Sequence, residues 1–292
     1  MPACGPAEPQ AVKQRTFGTP EQASDALIDA AERFDVAALE EILGPDAVEL
    51  VVTEDQVQDK NQSTAFAAQA RLQNRIVRDP ANSDTVTLTV GMGEWPLPIP
   101  IIQDGGGWRF DSQAGREEIL YRRIGNNELD AIEVCRGYVE AQHEYALEKH
   151  DDSPVNQYAQ RVVSTPGKHD GLAWKNADGS WQGPVGEGVA RVIAEGYSDK
   201  YEPFHGYYFK ILKSQGPSAP FGEMDFLVNG VMIGGFALVA APADYAVTGV
   251  KTFIVSHDGV VYEKDLGPET LKEFKSMTRF DPDPSWTPVE GP

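Results

Sequence analysis

"WRFDSQAGREEILYRRIGNNELDAIEVC", residues 108–135, decides how the chain is divided. It opens as a strand, "WRFD", and then takes helical spacing. Gly125 followed by Asn126 and Asn127 reads as a stop and a fresh start, because Gly ends helices and Asn caps them. The stretch therefore predicts a short helix over 114–125 and a second helix from Asn127 to about residue 149. In the second helix Leu129, Ile132, Cys135, Val139 and Ala146 share one face, with Arg136, Glu140 and Glu144 opposite. Glu118, Arg122, Arg123, Asn127 and Glu128 form a charged and capping cluster at this point. Such networks more often join structural parts than perform chemistry, and the cluster is expected to be an interdomain joint.

Upstream, "TPEQASDALIDAAERF" carries a capping box, with Thr19 as cap, Pro20 in the first turn and Gln22 reaching back. Asp35 caps a second short helix that Gly44 stops. "AVELVV" (47–52) reads as a short strand, "STAFAAQARLQNRI" (63–76) as a helix, and "DTVTLTVG" as a half-buried strand. The three prolines of "WPLPIPIIQ" place it at a sheet edge. Downstream of residue 150 turn residues dominate, with a short helix at "EGVARVIAEG" (187–196). Strands follow at "GYYFKIL" and "FALVAAP", and Asn229-Gly230 and Asp258-Gly259 signal hairpins. The Pro-rich "FDPDPSWTP" is expected to lie across the surface.

The chain has 292 residues, 25 Lys plus Arg and 45 Asp plus Glu, for a formal charge of −20. That field repels phosphate backbones, so nucleic acid is excluded as an expected partner, and so is direct contact with an anionic bilayer. Cys135 reads as a small core residue. Cys4 lies in "MPACGPAEPQAVKQ", where small residues precede a cysteine and a polar, proline-containing segment follows. This is similar to the end of a bacterial lipoprotein signal whose start has been trimmed, with Cys4 as the lipidated residue; the other reading is a free thiol.

The N-terminal order of helices and strands is similar to the cone-shaped fold of nuclear transport factor two. The C-terminal helix, "GYYFKIL", "FALVAAP" and "TGVKTFIVSHDGVVY" resemble the heads of type IV pilin-like proteins. A closer resemblance runs from Phe17 to Trp286. "FGTPEQASDALIDA" (17–30), "EWPLPIPI" (94–101), "STPGKHDGLAW" (164–174), "HGYYFKILKSQGPSAP" (205–220) and "GGFALVAAPADYAVTGVKTF" (234–253) resemble the bacterial domain-of-unknown-function family numbered 2950. That family implies an exported, envelope-located protein, consistent with a lipid on Cys4, and implies no activity.

The expected fold is α+β. A flexible tether (1–16) precedes N-terminal helices on a curved, cone-like antiparallel sheet (17–115). A long helix with a pilin-like antiparallel meander follows (116–292).

The sequence lacks the signatures of zinc proteases, serine hydrolases, P-loops and paired C-x-x-C sites, and it holds five histidines. No cofactor and no metal are expected. Two loops keep functional residue types. In 167–174, Lys168, His169 and Asp170 sit between Gly167 and Gly171 with Trp174 following, and His169 beside Asp170 has the chemistry of a general base. In 204–216, His205, Tyr207, Tyr208 and Gln215 have the character of a binding groove. Three functions stay open: a non-catalytic envelope module binding a protein, peptide or glycan; a hydrolase using His169, Asp170 and His205; and a structural envelope component.

Overall fold

The computed structural model describes residues 14–188 and 202–290. The chain forms two compact units, Met1–Arg122 and Arg123–Pro292. The sequence reading puts the boundary at 115/116; the division falls further on, inside a helix.

The first unit is α+β. It contains α1 (Pro20–Arg33), α2 (Val36–Leu43) and α3 (Gln56–Leu72), then β1 (Asn74–Arg78), β2 (Thr85–Val90), β3 (Trp95–Pro96), β4 (Ile101–Asp104) and β5 (Gly107–Phe110). Local chemistry sets the helix ends. Thr19 Oγ1 accepts from Gln22 N at 3.2 Å, and Gln22 Oε1 accepts from Gly18 N at 3.1 Å, completing the capping box. Asp35 caps α2 and Gly44, at φ 99°, ends it. The strands pair antiparallel in the order β1-β2-β4-β5, with β3 also on β2. Helices and sheet share a core that includes Leu27, Ile28, Leu39, Ile42, Val86, Ile101 and Phe110. Each such side chain contributes roughly 1.5–3 kcal/mol on burial.

Three expectations fail in this unit. "AVELVV" lies mostly in a 3₁₀ helix, Pro45–Leu50, because a short apolar run does not distinguish strand from helix. α3 starts earlier than expected, with Asp55 Oδ1 accepting from Gln58 N at 2.9 Å, and stops at Leu72. "NRI" instead opens β1, where Ile76 pairs with Leu88. Residues 14–16, expected in the tether, are held: Gln14 Nε2 donates to the Phe110 carbonyl at 2.7 Å, and Arg15 N to that of Glu41 at 2.7 Å.

α4 (Ser112–Tyr145) is one unbroken helix of 34 residues and contains the division between the units. The expected break at Gly125 and the Asn cap do not form. A Gly inside a helix costs about 1 kcal/mol relative to Ala, which tertiary packing readily offsets. Ala131, Cys135, Tyr138, Gln142 and Tyr145, at i, i+4, i+7, i+11 and i+14, make the buried stripe, whereas Leu129 is 63% exposed. No helix among the described residues is long and apolar enough to cross a membrane.

Short strands β6 (Trp174–Lys175) and β7 (Trp181–Gln182) pair with each other. After them come β8 (Tyr207–Leu212), β9 (Ser214–Gln215), β10 (Met224–Asp225), β11 (Leu227–Val228) and β12 (Val231–Met232). The last elements are β13 (Ala237–Pro242), β14 (Lys251–Ser256), β15 (Val261–Asp265), α5 (Thr270–Ser276) and β16 (Thr287–Pro288). The main sheet is antiparallel, ordered β16-β15-β14-β13-β8. Every residue of β13 is buried, so both faces of the sheet centre are covered. By register, Tyr207, Leu238 and Phe253 share one face, and Tyr208, Val239 and Ile254 the other. α5 lies on the second face, where Phe274 stacks on Tyr208 at 6.4 Å. Asn229 and Gly230, at φ 52° and 82°, form the expected two-residue hairpin turn between β11 and β12. The C-terminal segment is not a surface strap: Phe280 and Trp286 belong to the core. The expected helix at 187–196 extends outside the described residues.

Candidate functional site

The loop of residues 164–174 is pinned at both ends. Ser164 N donates to the Ala173 carbonyl at 2.7 Å, and Gly171 N to Ser164 Oγ at 2.9 Å. Gly171 sits so close to that backbone that a Cβ would lie 2.7 Å from Ser164 N. Asp170 turns back on the loop. Its carboxylate accepts from Thr165 N at 2.7 Å and Thr165 Oγ1 at 2.8 Å. Burial opposes its ionisation, but those two bonds, with Arg161 and Lys168 nearby, outweigh burial and hold it below the usual carboxylate range.

His169 is gripped from three directions. Its backbone N–H donates to Asp151 Oδ2 at 3.0 Å, and its ring Nδ1 lies 3.0 Å from Asp151 Oδ1. Its carbonyl accepts from Tyr145 Oη at 2.5 Å. The backbone donor, opposed by slight burial and helped by the ring, lowers the Asp151 carboxyl. An ionised Asp151 makes Nδ1 the protonated nitrogen of His169. Burial, with Asp151 and Asp170 adding to it, pushes the Tyr145 phenol up to about 12, so it stays a donor. Around this point the Tyr145 ring stacks on His150 at 3.8 Å, and Trp174 meets His169 edge-on at 4.9 Å.

On the Asp170 side a cleft of about 150 Å³ opens, lined by Tyr145, Gln157, Tyr158, Gln160, Arg161 and Asp170. Arg161 Nε stands 3.8 Å from Asp170 and its Nη1 donates to Thr165 at 2.9 Å. Gln160 Nε2 is committed to the Gly230 carbonyl at 2.7 Å. The wall therefore offers an aromatic hydroxyl, side-chain amides and an Arg–Asp pair. A larger polar cleft of about 750 Å³ lies in the first unit, between Gln14, Gly44, Glu49, Arg109 and Ser112. Its arginines are taken up by ion pairs, Arg109 with Asp104 at 2.9 Å and Arg116 with Glu49.

Both clefts fall inside residues 14–289, which match the profile of the family described as Protein of unknown function (DUF2950). The chain belongs to that family. No curated protein and no solved structure matches the chain.

In this DUF2950 chain the two histidine loops do not converge. His205 Nδ1 pairs with Asp130 at 2.6 Å, whereas His169 is tied to Tyr145. Those anchors, Asp130 and Tyr145, stand fifteen positions apart on α4, or roughly 22 Å at about 1.5 Å per residue. The hydrolase grouping of His169, Asp170 and His205 is thus not assembled, and Asp170 serves Thr165 rather than His169. The expected groove at 204–216 is also corrected. Tyr207 is buried, its hydroxyl donating to the Lys251 carbonyl at 2.9 Å. Gln215 is buried too, and Tyr208 is packed on Phe274. Of the first loop's residues, Lys168 is exposed and Trp174 half-buried.

The joint residues divide between the units. Arg122 pairs with Glu118 at 2.6 Å and lies over the Trp95 ring. Asn127 is buried and donates to the Thr248 carbonyl at 2.8 Å, so it is no helix cap. Glu128 Oε1 accepts from Val250 N and Lys251 N, each at 2.9 Å, anchoring the start of β14. Arg123 is buried. Cys4 lies outside the described residues, and Cys135 is a buried free thiol pushed up to about 12 by desolvation. Sequence reasoning missed Asp151, Tyr145, Gln157, Tyr158 and Arg161. Only the paired Asp151 and Asp152, a few residues past the end of the long helix, mark this region as unusual.

Proposed function

We propose that the chain is a non-catalytic binding module of the bacterial cell envelope that holds a glycan strand on its second unit. The observation that carries this reading is the cleft at Tyr158, Gln157, Arg161 and Asp170. At about 150 Å³ it is below the ~300–1,000 Å³ that encloses a whole small ligand. It suits one unit of a polymer whose remainder runs over the neighbouring surface. Amide, guanidinium and carboxylate groups around an aromatic ring complement hydroxyl-rich chains. A peptide would gain most from pairing with a strand edge, and the cleft is lined by the irregular segment 157–161 instead. The wide separation of the two histidine loops favours binding over hydrolysis. Anchoring through a lipid on Cys4 belongs to the same reading.

Titration calorimetry against soluble glycan strands from a bacterial cell wall tests the proposal, with a random peptide pool as the parallel arm. Saturable glycan binding that is lost in Gln157→Ala and Arg161→Ala, at unchanged melting temperature, is expected. Absence of glycan binding, or binding indifferent to both substitutions, overturns it. For the anchor, labelling with a fatty-acid analogue should vanish in Cys4→Ala, and persistent labelling refutes it.

A further inference from the structure

The loop between β9 and β10 presents Phe221 at 89% exposure, with φ 70°. Bulky residues avoid that left-handed region, and a strained side chain left in water gains nothing from its own chain. The loop is nevertheless rigidly built. Gln215 Nε2 donates to the carbonyls of Pro220 at 2.6 Å and Gly222 at 2.7 Å. Ser218 N donates to Asp281 Oδ1 at 2.8 Å, and Gly216 N to the Phe280 carbonyl at 2.8 Å. Phe221 is therefore a preorganised aromatic knob, the residue type that anchors protein interfaces.

A hole lies beside it. A groove of about 470 Å³ has apolar walls from Pro217, Ile254, Met277 and Trp286, with Arg279 and Asp281 among its polar residues. Pro217 belongs to the knob's own loop. Arg279 pairs at 2.9 Å with Glu223, two residues beyond Phe221. Knob and hole are thus joined through one loop and one ion pair of the second unit, so a single copy offers both, as a two-fold contact needs. Charge agrees with this partner. Residues 213–225 and 275–286 hold three cations (Lys213, Lys275, Arg279) and four anions (Glu223, Asp225, Asp281, Asp283), so 3 − 4 = −1. The patch is close to neutral in a chain of charge −20, so two copies can meet here with less repulsion than elsewhere.

We propose that the chain forms a two-fold dimer in which Phe221 of each copy seats in the Pro217–Met277–Trp286 groove of the other. Sedimentation equilibrium of the intact chain over a wide concentration range should give twice the chain mass. The dimer should tighten with added salt, as residual repulsion is screened. Phe221→Gly relieves the backbone strain and keeps the fold, yet should weaken dimerisation roughly 30-fold or more, the effect of losing a central aromatic anchor. Met277→Arg, which places a charge in the groove, should act likewise. A wild type that stays monomeric to its solubility limit overturns the proposal and leaves Phe221 to a different partner. A Phe221→Gly chain that dimerises like wild type overturns it as well.

Discussion

Asp151 holds His169 twice, through the backbone N–H at 3.0 Å and through ring Nδ1 at 3.0 Å. One carboxylate thereby fixes both the path of the loop and the orientation of the ring. Asp151 itself sits at φ 51°, a conformation that Asp tolerates better than most residues.

This pair of hydrogen bonds gives stability a pH signature. The Asp151 and Asp170 carboxyls are both held below the ordinary value. A depressed folded pKa contributes stability above the unfolded value of about 4, and that contribution is lost as pH falls through the folded pKa. Asp151→Asn should lower the urea midpoint at pH 7, and the gap to wild type should begin to close as pH falls below about 4. Urea titrations between pH 7 and pH 3 check this. A gap between the two proteins that does not change with pH would show that the carboxylate charge is irrelevant.

Gly249 faces the phenol end of Tyr207, whose hydroxyl is fixed by the Lys251 carbonyl. A Cβ at 249 would lie 2.2 Å from that oxygen. Gly249→Ala should therefore cost about 1–3 kcal/mol, as overpacking does. Tyr207→Phe makes room only by losing a buried hydrogen bond, at about 1 kcal/mol. Thermal melts of both variants test the ordering, and an Ala variant as stable as wild type would refute the contact.

Local chemistry was readable in the sequence, and tertiary chemistry was not. Thr19, Pro20 and Gln22 announce α1 because a capping box needs only neighbours. Asn229-Gly230 announces its turn for the same reason. Gly125-Asn126-Asn127 misleads because it too is a local signal, and α4 is decided by the stripe from Ala131 to Tyr145 against a core that no neighbour reveals. Tyr207 and Gln215 look like surface recognition residues by type, yet both are buried, Tyr207 in the edge strand of a sheet whose centre is covered on both faces. The 164–174 loop was recognisable as special, but Asp151 stands 18 residues before His169, and only the fold closes that gap. Adjacency in the sequence suggested His169 with Asp170, whereas the two side chains diverge to different partners.

Glu128 serves as an acceptor for two successive backbone donors at the start of β14. Glu128→Ala strands both Val250 N and Lys251 N and should cost about 2 kcal/mol, the scale of charged hydrogen bonds lost at a partly buried site. Glu128→Gln keeps an acceptor oxygen and should recover at least half. Hydrogen exchange offers a local readout: Val250 and Lys251 amides should exchange faster in the Ala variant alone. Equal protection in all three proteins would count against the bond.

Asn127 and Gly206 are coupled through space. Gly206 has φ 72°, and a Cβ there would lie 2.6 Å from Asn127 Nδ2 and 2.9 Å from Thr248 Cβ. Gly206→Ala thus combines about 1 kcal/mol of backbone strain with a clash in a buried polar contact. Asn127→Ala strands the Thr248 carbonyl, for about 1–3 kcal/mol. The double variant removes the amide that the new methyl strikes while leaving the strain. It should be less damaged than the sum of the singles, by roughly 0.5–3 kcal/mol. Chemical denaturation of the four proteins in this cycle measures that difference directly. Simple additivity would mean that the cost at Gly206 comes from backbone strain and the Thr248 contact, and that Asn127 does not set the space around it.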